Sequence, residues 1–247
     1  PTVSVIIPAY KVAPFIRETL DSVFAQTLRD FEVIVINDDS PDTPEFEEAL
    51  EPYRSSIVYL KQSNQGAGAA RNAGLRVARG EYVAFLDGDD AWLPDFLSEQ
   101  LKLIRSDEGY DLVYADSIVF GDGVPDATTN MTYNPSVGEV TFIKLLSGEC
   151  NIATSTVLAV RESVMRVGCF NERFKNSQDF DLWLRLLKDG KARITYQKKV
   201  LGRRRIYNGS LASDPLRSFA GELAVLNSML GRSDLTAEER VALENTV

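Results

Sequence analysis

The chain has 247 residues, 44% hydrophobic and 26% charged, as in globular proteins. Twenty-seven basic residues against thirty-six acidic ones give a formal charge of −9, which repels phosphate backbones and argues against nucleic-acid binding, though a local cationic site for a small anion stays open. There are no histidines. That excludes serine–histidine and cysteine–histidine mechanisms and histidine-ligated metals, so a base or metal ligand must come mainly from carboxylates, which suit Mg2+ or Mn2+.

Pro1 stands directly before a strand-like run, so the start reads as trimmed to a domain edge. Residues 3–8 (VSVIIP) form a short apolar strand, followed by a helical pattern through Ile16, Leu20, Val23, Phe24 and Leu28. Residues 31–36 (FEVIVI) are a second β-rich run, ended by the acidic turn Asn37-Asp38-Asp39-Ser40-Pro41-Asp42. A helix over 45–53 and a third strand over 57–60 follow. Residues 66–79 read as a loop entering a helix, and 82–86 (YVAFL) as a fourth strand. Apolar strands separated by helices predict an open, mostly parallel α/β sheet flanked by helices.

The second half is less regular. Leu97, Leu101 and Ile104 mark a helix that begins near Pro94, and 112–120 a strand. The polar stretch 121–138 resembles a long loop, the kind that serves as a lid or binding loop. Residues 153–160 predict a strand, and 179–187 a helix with Leu182, Trp183, Leu186 and Leu187 on its apolar face. Residues 200–206 carry the basic run Arg203-Arg204-Arg205, broken by Tyr207-Asn208-Gly209-Ser210. From Leu216 the tail reads as two helices, Thr236 capping the second, and it reaches Val247 without a stop signal. Cys150 and Cys169 predict two buried reduced thiols, and no apolar run nears the roughly 20 residues that cross a bilayer.

In an open α/β sheet, ligands bind beyond the carboxyl ends of the strands. Here that edge receives Pro8-Ala9-Tyr10, Asn37-Asp38-Asp39 and Asp87-Gly88-Asp89-Asp90 from three strands. Crowded acids repel one another unless a cation or donor hydrogens neutralise them. Asp39, Asp42 and Asp90 read as helix caps or turn formers. Asp87 and Asp89, one residue apart, read as ligands of one divalent ion that bridges the phosphates of a nucleoside diphosphate.

From about residue 3 to 213 the chain resembles the family 2 glycosyltransferases of the GT-A fold. The likeness is carried by VSVIIPAY at 3–10, VINDDSPD at 35–42, NQGAGAARNAG at 64–74, GEYVAFLDGDDAW at 80–92 and SQDFDLWLRLL at 177–187. The resemblance implies a GT-A-like domain over 1–213 and a C-terminal helical extension over 214–247 that reads as cut short. It implies an inverting, metal-dependent hexosyl transfer from a nucleotide-sugar donor, a UDP-sugar above dTDP or GDP sugars. Pro8, Ala9, Tyr10 and Asp38 would surround the nucleoside, and Arg71 would lie near its base or phosphates. Asp87, Gly88 and Asp89 would hold ribose and phosphates, with Asp89 and Asp87 on Mn2+ or Mg2+. Asp179 matches the aspartate of the family's Glu-Asp pair and would take the acceptor's proton, at a helix start that favours a charged carboxylate. Asp181 reads as solvent-facing or as a local partner.

Two departures stand out. Gln178 replaces the glutamate of that pair, and Tyr207 stands where the family often has a histidine in Arg-x-His, leaving Arg203, Arg204 or Arg205 to face a diphosphate. Asn37 also replaces an acid common at its place. Asn151, Thr154 and Ser155 are the acceptor-wall candidates, and the acceptor could be a glycan, a lipid-linked sugar or a protein. Since activated sugars are made inside the cell, the expected location is the cytoplasm or the inner face of the membrane.

Other readings compete. Gly66-Ala67-Gly68 before a helix hints at a nicotinamide-dependent oxidoreductase, but Arg71 is too bulky for the third small position and the glycines follow the third strand. A nucleotidyltransferase would need a phosphate-cradling Gly-rich loop after the first strand, which Pro8-Ala9-Tyr10-Lys11 does not provide. A catalytically impaired nucleotide-sugar or carbohydrate-binding module of the same fold would explain Gln178 and Tyr207, against the intact Asp87, Asp89 and Asp179.

Overall fold

A computed structural model describes the chain except residues 107, 126, 134, 137 and 211–213 and the side chains of residues 133 and 215. In order, the strands are β1 (Val3–Ala9), β2 (Phe31–Asn37), β3 (Ile57–Lys61), β4 (Tyr82–Phe85), β5 (Ala91–Trp92), β6 (Leu112–Gly121), β7 (Val157–Val160) and β8 (Ile194–Ile206). The helices are α1 (Ile16–Phe24), α2 (Thr43–Leu50), α3 (Ala67–Val77), α4 (Phe96–Ile104), α5 (Asn130–Tyr133), α6 (Phe142–Leu146), α7 (Arg161–Arg166), α8 (Gln178–Lys188), α9 (Pro215–Leu230) and α10 (Ala237–Thr246).

One sheet runs in the order β3-β2-β1-β4-β7-β6-β8-β5. β3, β2, β1 and β4 are parallel, as the strand–helix alternation predicts. β7 then enters antiparallel between β4 and β6, β8 lies parallel to β6, and β5 closes the edge antiparallel to β8. All seven residues of β1 are buried. Their alternation splits them between two cores: Val3, Val5, Ile7 and Ala9 join the α1, α2 and α4 side, and Ile6 joins the α3 and α8 side. Each such aliphatic side chain removed from water contributes about 1.5–3 kcal/mol. Val33 and Val35 against Ile34 and Ile36 repeat the division in β2.

β8 is longer than the basic run suggests. It begins at Ile194, six residues before the basic stretch 200–206, and its exposed middle residues 198–200 interrupt the apolar signal. Two register irregularities against β6, at Ala115/Asp116 and Asp116/Ser117, shift β8 along its neighbour. Its far end then pairs Arg203 with Ala91 and Gly202 with Trp92, bringing the basic run beside Asp87-Gly88-Asp89-Asp90. The 121–138 stretch contains the short α5 and a bridge between Ile118 and Thr129; residues 126, 134 and 137 of that expected lid, and the expected boundary at 213, lie outside the described residues.

The C-terminal helices are part of the core. Val225, Leu226 and Met229 of α9 and Leu243 of α10 are buried in the same cluster as Trp183 and Leu186 of α8. Thr236 caps α10 as predicted, in a capping box with Glu239. Asp181 is buried and paired with Arg185 at 2.6 Å, a local partner and not solvent-facing. Cys150 is buried, whereas Cys169 is only partly so, and the two form no disulfide. Among the described residues no helix is long and apolar enough to cross a membrane.

α3 reaches the sheet through Gly74, where an added Cβ would stand 2.6 Å from Ile6 Cγ2 and 3.1 Å from Ile36 Cδ1. Alanine gains about 1 kcal/mol in helix propensity, but overpacking a core costs about 1–3 kcal/mol. Gly74→Ala should therefore lower the unfolding free energy in urea titration; a variant more stable than the parent would contradict this packing.

Candidate active site

All nine residues singled out in the sequence border one cavity of about 1120 Å³ at the carboxyl ends of β1, β2 and β4. At the end of β1, Pro8 and Ala9 are buried and Tyr10 is 45% exposed, its ring at the rim. Lys11 turns the chain with a left-handed backbone, φ 59°, and its amide donates to Ser40 Oγ at 2.6 Å. Gly88 lets the acidic loop lie against this corner, since a Cβ there would meet Val12 Cγ2 at 2.9 Å and the Pro8 carbonyl at 3.2 Å.

Asp38 organises the next segment. Its Oδ1 accepts from Gln62 Nε2 at 2.8 Å and the Gln65 amide at 2.9 Å, and its Oδ2 from the Gly66 amide at 2.7 Å. Gly66, at φ 95°, is the residue before α3. The buried carboxylate at the end of β2 thus fixes the start of the helix that carries Arg71, a role that the sequence reading, which placed it at the nucleoside, did not foresee. The amide-rich Gln62-Ser63-Asn64-Gln65 is the signal for it. Asp39 takes the left-handed turn position as expected; Asp42 stands at the N-cap of α2 but its side chain does not cap that helix, accepting instead from the Ser40 hydroxyl and from the Ala13 amide at 3.0 Å.

Arg71 is 4% exposed, and its Nη2 meets Asp87 Oδ1 at 2.5 Å. Its Nε and Nη1 have no hydrogen-bond partner. Leaving such buried donors unmade costs about 1–3 kcal/mol each, so this guanidinium is held ready for oxygens the protein does not itself supply. Behind it the three acids interact. Burial, then the charge of Asp87, raises the Asp89 carboxyl to about 6. Burial and then Asp89 and Asp87 push Asp90 higher still, against hydrogen bonds from Ser155 and the Arg205 amide, the latter at 2.8 Å. Asp90 closes the expected turn, its amide donating to the Asp87 carbonyl at 3.1 Å, and its side chain also ties the acidic loop to β8.

The tyrosine in the histidine's place sits on this cluster. Tyr207 hydrogen-bonds Asp89, and burial followed by that charge raises its phenol above the usual range. Its ring packs on Phe15, centroids 4.7 Å apart. The basic run divides by strand alternation. Arg203 and Arg205 both pair with Glu18, Arg205 also donating to the Asp89 carbonyl at 3.0 Å. Arg204 projects to the other side, where Nη1 reaches Asn130 Oδ1 at 3.2 Å without an ion pair among the described residues.

Across the cavity, Asp179 is the second residue of α8, which follows Ser177 in a left-handed conformation. Asp179 Oδ2 accepts from Thr154 Oγ1 at 2.5 Å, and Oδ1 from the Phe180 amide at 2.9 Å. Asn151, Thr154 and Ser155 all border the cavity, and Ser155 Oγ also accepts from the Asp87 amide at 3.1 Å. Glu222 of α9, missed in the sequence because no motif marks it, borders the same cavity as Asp179, whose charge helps raise its carboxyl above the ordinary range after burial. Among the described residues no group of three or more acidic or thiol side chains forms a metal cage. Asp87 and Asp89 nonetheless fit a hard divalent ion of the kind bound by one or two carboxylates and completed by substrate phosphates.

Without an ion, the folded chain keeps protons on Asp89 and Asp90 that the unfolded chain releases near pH 4. The folded state then binds more protons above that pH, so these groups lower stability as pH rises from about 4 through 6 and beyond. Asp90→Asn, which keeps an acceptor for the Arg205 amide, should stabilise chelator-treated protein at pH 8 by about 1 kcal/mol or more and change little at pH 4. Thermal melting checks this, and an equal effect at both pH values would refute the assigned crowding.

The sequence matches the family described as Glycosyl transferase family 2 over residues 4–168; Asp179 lies beyond that stretch. An uncharacterized glycosyltransferase of Rickettsia felis is 29% identical over 255 residues, covering 100% of this chain, which spans 40% of that protein. The Escherichia coli UDP-Glc:alpha-D-GlcNAc-diphosphoundecaprenol beta-1,3-glucosyltransferase WfaP is 30% identical over 92% of this chain and 86% of its own length. Among solved structures, S. aureus TarS in complex with UDP-GlcNAc superposes with a TM-score of 0.76 at 22% identity, covering 100% of this chain and 71% of that one. The mannosyltransferase PcManGT from Pyrobaculum calidifontis, in complex with GDP-Man and Mn2+, gives 0.75 at 23%, covering 99% and 68%. These likenesses join the acidic strand ends and the mixed, helix-flanked sheet to one conclusion: the chain belongs to glycosyl transferase family 2 and is a glycosyltransferase of the GT-A fold.

Proposed function

We propose that the chain transfers a hexose from a nucleoside-diphosphate donor, a UDP-sugar by preference, to an acceptor hydroxyl with inversion at the anomeric carbon. The observation that carries this reading is a single cavity bordered by Asp87, Asp89, Arg71 and Asp179, with the consecutive Thr154 and Ser155 hydrogen-bonded to Asp179 and to the Asp87 amide. Pro8, Ala9, Tyr10 and Asp38 form the nucleoside end. Arg71 gives its unpartnered Nε and Nη1 to the donor's oxygens, and Arg204, the one member of the basic run turned from Glu18, faces the diphosphate. Asp87 and Asp89 would hold Mn2+ or Mg2+, which when bound neutralises charge on the leaving diphosphate. Tyr207 holds Asp89 in place.

Asp179 receives the proton of the attacking hydroxyl. The Thr154 hydroxyl fixes one carboxylate oxygen and the Phe180 amide the other, holding the group in the first turn of α8 on the cavity wall. The acceptor oxygen bonds to the anomeric carbon as the carbon–oxygen bond to the diphosphate breaks. Gln178 and Tyr207 favour a second reading, a binding module of the same fold without turnover. WfaP, by its name, uses UDP-Glc, and PcManGT was solved with GDP-Man and Mn2+, so both donor classes belong in the assay.

UDP should raise the melting temperature strongly only with Mn2+ present. Asp179→Asn should keep that response and lose about 10²–10⁴-fold in transfer rate. Retained turnover in Asp179→Asn would remove the base assignment, and nucleotide binding with no turnover by the parent chain across UDP- and GDP-sugars would favour the module.

A further inference from the structure

α9 lies beyond the family-matched residues 4–168 and outside every sequence motif, yet it walls the cavity at the Asp179 end. Ser218, Glu222 and Leu226, spaced by four, share one helix face, and all three border the cavity. Gly221 lets the helix rest on the turn that opens α8: a Cβ there would stand 2.7 Å from Ser177 Oγ and 2.8 Å from Asn176 Cβ. Buried Val225, Leu226 and Met229, on this same side of the helix, fix its rotation against the core.

Glu222 is open to solvent on one side and accepts no hydrogen bond from a described residue. Loss of hydration, then the charge of Asp179, raises its carboxyl above the ordinary range. Two further groups bordering this cavity lack partners. Gln178 is 6% exposed with Oε1 unpaired, and Trp183 is 1% exposed with Nε1 unpaired. A free carboxylate, an amide oxygen, an indole N–H and the Ser218 hydroxyl surround the base. Asp179 and Glu222 bring two negative acceptors to this wall, beside the cations Lys175, which donates to the Gln65 carbonyl, and Arg217; the acceptors match a ligand that donates several hydrogens from neighbouring atoms and is itself uncharged. A sugar ring has that chemistry; a phosphate or carboxylate would be repelled by Asp179 and Glu222 together.

Resting on the glycosyltransfer reading above, we infer that α9 builds the acceptor subsite, and that Glu222 positions a neutral sugar by accepting from the hydroxyl next to the one Asp179 deprotonates. Glu222 is thus a positioning residue, and the carboxylate missing at position 178 is supplied by a different element. The reacting hydroxyl's proton goes to Asp179, and Glu222 takes no part in that transfer.

The test is a binding titration by ligand-observed NMR on the whole chain saturated with UDP and Mg2+. The probes are the methyl glycosides of glucose, galactose, mannose and N-acetylglucosamine, with methyl glucuronide as the charged control. At least one neutral glycoside should bind, and Glu222→Ala should weaken it about tenfold or more, the loss of one charge-assisted hydrogen bond. Glu222→Asp should recover part of that loss. Neither variant should shift UDP affinity or melting temperature. Failure of every neutral glycoside to bind the UDP-loaded parent, equal binding by Glu222→Ala, or preference for the glucuronide would each overturn the inference. Failure of UDP itself to bind would instead sink the glycosyltransfer reading on which it rests.

Discussion

Asp87, Asp89 and Asp90 lie within four residues at the end of a strand whose walls are aliphatic and aromatic. Burial deprives their charges of water, and proximity makes each ionisation harder for the next, so Asp89 and Asp90 hold protons well above the usual carboxylate range. The protein meets this strain only in part. Arg71 covers one oxygen of Asp87, the Tyr207 hydroxyl one side of Asp89, and the Arg205 amide one oxygen of Asp90. Those three partners come from α3, from the end of β8 and from the residue beyond it. The position of the acidic loop therefore depends on both halves of the chain being assembled around it.

That dependence explains the sheet. The parallel half aligns the ends of β1, β2 and β4 on one rim, and Asp38 then fixes where α3 begins. The antiparallel β7 turns the chain back, and β8, displaced by its irregular pairing with β6, reaches across to β5. Two pieces distant in sequence thus meet within hydrogen-bond range at Asp90 and Arg205. On the far side, α8 presents its N-terminus to the same cavity, and α9 is seated on α8 through Gly221. Arg71 on α3 and Asp179 on α8 thus reach the cavity from helices that share one core.

Much of the first half was legible because its physics is local. VSVIIP and FEVIVI are buried on both faces, and the acids that follow them can only fall on the rim. Asp87 and Asp89 were placed on the rim by that logic, whereas Arg71 and Asp179 were singled out only through the family resemblance; all four border one cavity. What escaped depends on tertiary pairing. Two-residue β5 carries no periodic signal, and the early part of β8 was hidden by exposed residues around Lys198 and Lys199. The three arginines look alike in sequence; only strand alternation and Glu18, 185 residues from Arg203, separate Arg204 from its neighbours. Glu222 sits in an otherwise ordinary helix, and nothing but the fold brings it to Asp179.

The account turns on whether the crowded acids serve to grip a doubly charged cation together with a diphosphate. Anomalous X-ray diffraction at the manganese edge, from crystals grown with Mn2+ and UDP, addresses that directly. A single anomalous peak bounded by the carboxylates of Asp87 and Asp89 and by the UDP phosphates, lost when UDP is omitted, is the result expected. UDP ordered in the cavity with no peak beside those two side chains would contradict it.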